Sequence, residues 1–298
     1  MDKTSYFIKD IGLFGSFPTN ETVKELENIG VRIFVDLTFN TEKNILSYHT
    51  NYKYLNFPIK DRFYPENKKE FSKFILEVTN LIYKLKLNEK IYIHCKGGHG
   101  RSGVVVAILL CQIFNFSPEE SLEHTKKAHN NRIVMREKWR CIGCPQTFQQ
   151  KNFVINFCKP IHFCDKNICD NTLGFSNFSN HSITIKNVGT FINAESAFQS
   201  YKTDDLYIIE KLVVATTQRI IKKISSNIFC KEKWEQKSFD ILFKILKYKF
   251  EQHNLINKLL DTNLSPIIYN CNDIFFLDNN LLGKCLTKLR NYFIVNNY

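Results

Sequence analysis

Ten consecutive residues constrain this chain more than any others: His94-Cys95-Lys96-Gly97-Gly98-His99-Gly100-Arg101-Ser102-Gly103. The residues just before them, Lys90-Ile-Tyr-Ile-His94, are β-branched and aromatic, as a short buried strand tends to be. Just after them comes an apolar run, 104–111, that reads as a helix opening near Ser102. A strand that passes into a buried helix through a Gly-rich turn belongs in an α/β layer, not in a bundle or a sandwich. The neighbouring pattern agrees. Residues 31–36, Val-Arg-Ile-Phe-Val-Asp, read as a second strand. Residues 67–86 place Phe71, Phe74, Ile75, Val78, Leu81, Ile82 and Leu85 on one helix face. Ser117-Pro-Glu-Glu is a helix start with a capping box and Pro at the first position. Strand and helix in alternation predict parallel pairing, and so a mostly parallel central sheet flanked by helices over residues 1–158.

The pattern changes at 159–172, where Pro, Asn and Asp interrupt the periodicity and a linker is expected. Beyond it, 173–298 reads as a second domain that is mainly α. One amphipathic face runs from Phe239, Leu242, Phe243 and Leu246 to Phe250, Leu255 and Leu259, and another helix is expected over 281–295. Length fits this division, since 298 residues make about two domains at ~150 each.

The ten-residue string carries chemistry. In a Gly-rich turn that opens a helix, successive backbone N–H groups converge on one point, where the helix terminus adds partial positive charge. A thiol at that point is stabilised as thiolate, and the same donors can bind the oxygens of a phosphoryl group. Cys95 is thus the candidate nucleophile. Lys96, Gly97, Gly98, His99, Gly100 and Arg101 are the candidate phosphate cradle, with the Arg101 fork clamping two oxygens. Ser102 could hydrogen-bond the sulfur and help it leave, and His94 is expected to orient the nucleophile through hydrogen bonds.

The string resembles the HC-x5-R signature of cysteine-based protein tyrosine phosphatases, specifically the dual-specificity group. The resemblance extends over about residues 5–158, including Cys144-Pro-Gln-Thr-Phe-Gln-Gln and Phe153-Val as the last helix of such a domain. It implies a phosphocysteine intermediate and a general acid on a loop some thirty residues before the cysteine. Asn56-Phe-Pro-Ile-Lys-Asp-Arg-Phe-Tyr-Pro puts Asp61 at that position, flanked by Pro58 and Pro65. Asp36, inside a strand, is expected to be structural. The substrate stays open between phosphoprotein, on Tyr, Ser or Thr, and a phosphorylated nucleotide.

The second half holds a looser constellation. Glu195, Gln199 and Lys202 fall at i, i+4 and i+7, so they would share a helix face, and that spacing alone is equally that of a solvated stripe. Together with Gly174-Phe-Ser-Asn-Phe, the lone Trp234, Lys249-Phe and the final Leu-x-x-Leu-Arg helix, this half resembles the NADAR family (NAD- and ADP-ribose-associated, N-glycosidase-like) over about 173–297. That resemblance implies cleavage of ribosyl or ADP-ribosyl N-glycosidic bonds. Such cleavage builds oxocarbenium character that a carboxylate stabilises. Glu195 and Asp278 are the candidate catalytic carboxylates, and Asn177, Gln199, Lys202, Trp234 and Asn280 the candidate nucleotide and ribose contacts. The chain departs from the family at Phe276-Leu277, where Trp-Gly is usual, and lacks a Gly-rich insertion after Asp278. A half without hydrolytic activity that recruits the phosphatase to ADP-ribosylated or nucleotide-bearing partners is the alternative.

Neither constellation requires a cofactor or a metal. Cys141-Ile-Gly-Cys144 has the spacing of half a zinc site, with Cys158, His162, Cys164 and Cys169 nearby, but no second such pair follows and free thiols are expected. The net charge of +12, spread over both halves, favours anionic substrates and keeps nucleic acid among candidate partners. A coding sequence rich in A and T would raise the Lys count by itself. The longest apolar run is far short of the ~20 residues of a membrane span. The opening Met-Asp-Lys-Thr-Ser has no signal character, so a reducing, cytoplasmic setting is expected.

Overall fold

A computed structural model describes residues 2–43, 45–165, 170–270 and 280–298. The chain divides into two compact units, Met1–Lys159 and Pro160–Tyr298.

The first unit is built on a five-stranded sheet. Its strands are β1 (Thr4–Ile8), β2 (Gly12–Ser16), β3 (Val31–Asp36), β4 (Lys53–Asn56) and β5 (Lys90–Cys95), in the order β1-β2-β5-β3-β4. β1 runs antiparallel to β2; every other pairing is parallel. β5 is central because its side chains are buried on both faces, so helices must cover both. In chain order the helices are α1 (Asn20–Asn28), α2 (Lys68–Tyr83), α3 (Arg101–Phe114), α4 (Pro118–Asn130), α5 (Glu137–Ile142) and α6 (Phe148–Cys158). The 104–111 run makes α3 the core helix: Arg101 through Cys111 are all buried, packed among β5, α2, α4 and α6. On the other face Val23 and Leu26 of α1 meet Leu13, Val31, Phe34 and Tyr92 of the sheet. Burial of such side chains, at about 1.5–3 kcal/mol each, drives the layering.

Local signals in the sequence set the helix starts. Asn67 caps α2 by accepting from the Lys69 and Glu70 amides. Ser117 and Glu120 form the reciprocal capping box of α4, and Thr147 and Gln150 form another on α6. The expected apolar face is buried except at Leu81 and Leu85, which are half-buried, and Leu85 falls beyond the end of α2 at Tyr83.

The second unit is mixed α/β, which corrects the expectation of a mainly α domain. β6 (Ile161–Phe163) pairs parallel with β9 (Ile267–Tyr269), and β7 (Ile183–Ile185) pairs antiparallel with β8 (Gly189–Phe191). Each strand has three residues, too few for the alternation that marks a strand in sequence. β6 also falls inside 159–172, so that segment is more than a linker. Around these strands lie α7 (Ala194–Ser200), α8 (Leu206–Val213), α9 (Gln218–Ser225), α10 (Trp234–Gln252), α11 (Ile256–Leu260) and α12 (Leu281–Val295). The long amphipathic face is thus two helices, separated at Asn254, whose φ of 53° is left-handed. Among the described residues no helix is long and apolar enough to cross a membrane.

Candidate active site

Parallel β5 ends at Cys95, and α3 begins six residues later at Arg101, so the five residues between them curl over the mouth of a helix. Cys95 is 3% exposed, and its Sγ lies 3.6 Å from Oγ of Ser102 in the first turn of α3. Two glycines decide how tightly the turn closes. Gly98 has φ +72°, and a Cβ there would press on the Gly15 carbonyl and come within 2.7 Å of the Ser16 nitrogen in β2. Gly103 faces the Cys144 sulfur and Pro145, so a side chain there would push α3 off the 144–145 turn.

Arg101 is among the most buried side chains of the unit, at 1% exposed. Glu42 meets it with both carboxylate oxygens, one on Nη1 and the other 3.1 Å from Nη2. Nη1 also donates to the Ile59 carbonyl at 3.0 Å and the Leu37 carbonyl at 3.3 Å. Asp61 completes the ring, with its carboxylate 3.0 Å from Nη2 while its side chain stays 59% exposed. Burial opposes the Glu42 charge, but the hydrogen bond and charge of Arg101 hold its carboxyl below the usual carboxylate range. Glu42 was not legible in the sequence: no local pattern links a loop glutamate to an arginine 59 residues on.

Two cradle side chains, Lys96 and His99, have partners outside the cradle, and so does His94 just before it. The His94 ring gives no hydrogen bond to the sulfur among the described contacts: its Nε2 pairs with the Tyr48 hydroxyl at 2.8 Å, and the ring packs on Phe17 and Tyr92. Burial pushes His94 down to about 4, although Asp36, 3.7 Å away, pulls the other way. His99 is turned toward α4 and α5, where its Nδ1 pairs with His129 Nε2 at 2.8 Å and its ring stacks on Trp139 at 4.6 Å. Burial and the charge of Arg132 bring His99 down to about 4, so the ring is neutral near pH 7 and adds no charge to the cradle. Lys96 reaches sideways, donating to the Lys43 carbonyl at 2.7 Å. Asp36 is structural, accepting from the Thr38 amide and hydroxyl and from Tyr54.

Gln150 is a second residue that sequence reasoning passed over. It is fully buried, and its Nε2 donates to the Phe63 carbonyl at 2.8 Å, two residues past Asp61. The same amide abuts Gly100, whose Cβ position lies 2.8 Å from it. One side chain therefore ties the Asp61 loop to the cradle and to α6.

In the second unit α7 brings two of the predicted residues together. Gln199 Nε2 donates to Glu195 Oε1 at 2.6 Å, and Asn177 Nδ2 donates to Oε2 at 3.0 Å. The Glu195 amide in turn donates to the Asn177 carbonyl at 3.0 Å. Burial raises the Glu195 carboxyl above its ordinary value against these hydrogen bonds. Lys202 is not on the helix face, because α7 ends at Ser200; its Nζ lies 5.9 Å from the Phe198 ring and 5.8 Å from the Trp234 ring. Trp234 is half-buried, 5.2 Å from Phe198. Asn280 is not a free ligand contact: its amide accepts from the Tyr269 nitrogen and donates to the Ile267 carbonyl, tying β9 to α12. Asp278 and Phe276-Leu277 lie outside the described residues, as does Cys169. The half-zinc spacing leaves Cys141 exposed and Cys144 buried against Gly103.

Lys249, which the sequence marked only through the family resemblance, sits in the neighbouring network of Ser176 and Asp165. Lys249 is fully buried and donates to the Ser176 carbonyl at 2.6 Å. Ser176 hydroxyl and Tyr269 hydroxyl both donate to Asp165. Burial takes Lys249 down to about 7 against the pull of Asp165.

A parallel sheet that delivers a cysteine into a Gly-rich turn, with a buried arginine behind it, defines a cysteine-type phosphatase domain of the tyrosine and dual-specificity class. The family described as "PTP-SAK: Swiss Army Knife protein, DSP-PTPase phosphatase domain" matches residues 9–154, and the chain belongs to the tyrosine phosphatase family. It is 34% identical to "Putative tyrosine phosphatase 197R" of Invertebrate iridescent virus 6 over 287 residues, 95% of this chain and 89% of that protein. It is 42% identical to "Putative tyrosine phosphatase 067L" of Invertebrate iridescent virus 3 over 159 residues, 53% of this chain and 66% of that one. Among solved structures, Tk-PTP in its active form is 22% identical and covers 50% of this chain and 92% of its own, with a TM-score of 0.39.

Proposed function

We propose that the first unit hydrolyses phosphomonoesters through a phosphocysteine at Cys95. The observation that carries this is the sulfur at the mouth of α3, beside the Ser102 hydroxyl and in front of an arginine fixed by Glu42. The Cys95 thiolate attacks phosphorus, an S–P bond forms and the O–P bond to the leaving group breaks. Asp61 gives its proton to the departing oxygen, because an alkoxide leaves poorly. A substrate phosphate arriving at Arg101 competes for Nη2 with Asp61, whose exposed side chain can swing toward the leaving oxygen. Water then attacks the phosphocysteine, Asp61 takes its proton, and inorganic phosphate leaves as the Ser102 hydroxyl supports the returning thiolate. Phosphoproteins and phosphorylated nucleotides both suit such a cradle. The full chain with Cys95→Ser tests the reading: loss of aryl phosphate turnover is expected, and wild-type-like turnover would remove Cys95 from the chemistry.

For the second unit the reading is a NADAR-like pocket for ribosyl or ADP-ribosyl N-glycosides, with Glu195 as the carboxylate facing the sugar. Its support is a buried carboxylate held by two amides, whose Asn177 Oδ1 and Gln199 Oε1 have no hydrogen-bond partner of their own. Release of base from an ADP-ribosylated guanine by the full chain, abolished in Glu195→Gln, is the expected result. Retained ligand binding without any release, in the unaltered chain, would favour the recruitment module.

A further inference from the structure

Beside the cradle opens a cavity of about 310 Å³, within the ~300–1,000 Å³ range of small-molecule pockets. Its wall shares Lys96 and His99 with the cradle and continues over Lys3, Arg132, Arg136 and Trp139. Four of these side chains are cationic. No ion pair among the described residues joins any of the four to a carboxylate.

Arg132 is the informative member. It is 97% buried by exposure of only 3%, and its hydrogen bonds are long ones, to the Ser5 hydroxyl at 3.4 Å and the Phe14 carbonyl at 3.3 Å. Burial works against its charge, and the groups that favour it are Cys144, Tyr92 and Cys95 rather than an acid. A guanidinium kept charged in such surroundings without a carboxylate is an arrangement that an anion completes. Because the wall runs into Lys96 and Gly97 of the cradle, that anion can belong to the molecule whose phosphate sits over Cys95.

We propose that this cavity is a second phosphate subsite, which selects small soluble phosphomonoesters carrying another phosphate over those carrying one. The proposal rests on the phosphatase reading of Cys95. Arg132 and Arg136 offer planar forks to the second phosphate, Lys3 and Lys96 add charge, and Trp139 closes the floor with one face against His99. The size of the cavity favours a small molecule over a peptide or a nucleic acid strand.

The test compares adenosine 3′,5′-bisphosphate with adenosine 5′-monophosphate on the full chain, with p-nitrophenyl phosphate as the measure of the cradle alone. The expected kcat/KM ratio of bisphosphate to monophosphate is at least about tenfold, falling toward one in the exposed double variant Lys3→Ala, Arg136→Ala. A ratio near one with aryl phosphate hydrolysed normally overturns the subsite and leaves the phosphatase reading standing. Absence of aryl phosphate turnover instead strikes at the reading beneath it. The subsite is then judged by binding, from tryptophan fluorescence of Cys95→Ser: the bisphosphate should bind about tenfold more tightly than the monophosphate, and equal binding overturns the proposal. A phosphotyrosine peptide turned over faster than the bisphosphate would also overturn it.

Discussion

Glu42 grips Arg101 with both carboxylate oxygens, so one carboxylate fixes both terminal nitrogens of the guanidinium that would clamp phosphate. Breaking a fully buried pair costs about 3–5 kcal/mol; Glu42 is part-buried and Asp61 stays beside Nη2, so a smaller loss is expected here. Glu42→Ala should therefore lower both thermal stability and kcat/KM for aryl phosphate, the latter by roughly ten- to a hundredfold. Calorimetry and steady-state kinetics on the full chain check the two effects separately. Unchanged kinetics in a folded Glu42→Ala protein would show that Arg101 is positioned without it.

The same pair predicts an acid response. The folded Glu42 carboxyl titrates below its ordinary value, so its stabilising contribution is complete above the unfolded pKa of about 4.3 and is lost as pH falls through the folded value. Melting temperature plotted against pH should fall less steeply below pH 4.3 in Glu42→Gln than in the unaltered chain.

Three histidines, His94 and His129 buried and His99 half-buried, act in a different window. His94 and His99 titrate at about 4 and His129 at about 3, all depressed from 6.5 chiefly by burial. The unfolded chain binds more protons than the folded one between those values and 6.5, so stability rises with pH across that window. Their stabilising effect is complete above 6.5 and disappears as pH drops toward 3–4. The His99–His129 hydrogen bond sharpens the effect, because protonating both rings leaves two donors facing each other. His129→Asn should flatten the slope of melting temperature between pH 4 and 6.5; an unchanged slope would mean that His129 is not depressed in the fold.

Gln150 offers a test of loop positioning. Its amide holds the Phe63 carbonyl at 2.8 Å, and Asp61 is on the same short loop. Gln150→Ala should slow alkyl phosphates, which need a proton at the leaving oxygen, roughly tenfold more than p-nitrophenyl phosphate, whose leaving group needs little help. Asp61→Asn should show the same discrimination more strongly and also remove the basic limb of the pH–rate profile. Equal slowing of both substrates by Gln150→Ala would assign it to the cradle and not to the acid loop.

In the second unit, Lys249 gives a signature at higher pH. It titrates at about 7 in the fold against about 10.4 unfolded, so stability should rise with pH between those values. Lys249→Met, close in length and without charge, should remove that rise. Scanning calorimetry of the full chain between pH 7 and 10 follows it.

The local features were written in the chain. Val31–Asp36, α2 and the capping box at Ser117 follow from periodicity and caps that act within a few residues, and the Cys95 turn from Gly placement at the end of a strand. Tertiary structure alone decided what faces those elements. Glu42, Arg132 and Gln150 reach their partners across 59, 118 and 87 residues, and side-chain periodicity carries no information over such separations. Of the three-residue strands of the second unit, β6 and β9 form because each finds a partner about a hundred residues away, while β7 and β8 make a local hairpin too short for alternation to announce. His99 shows the reverse case. Its place in the motif assigned it to the phosphate, while packing against His129 and Trp139 gave it a half-buried, neutral ring, since desolvation outweighs local sequence when charge must leave water.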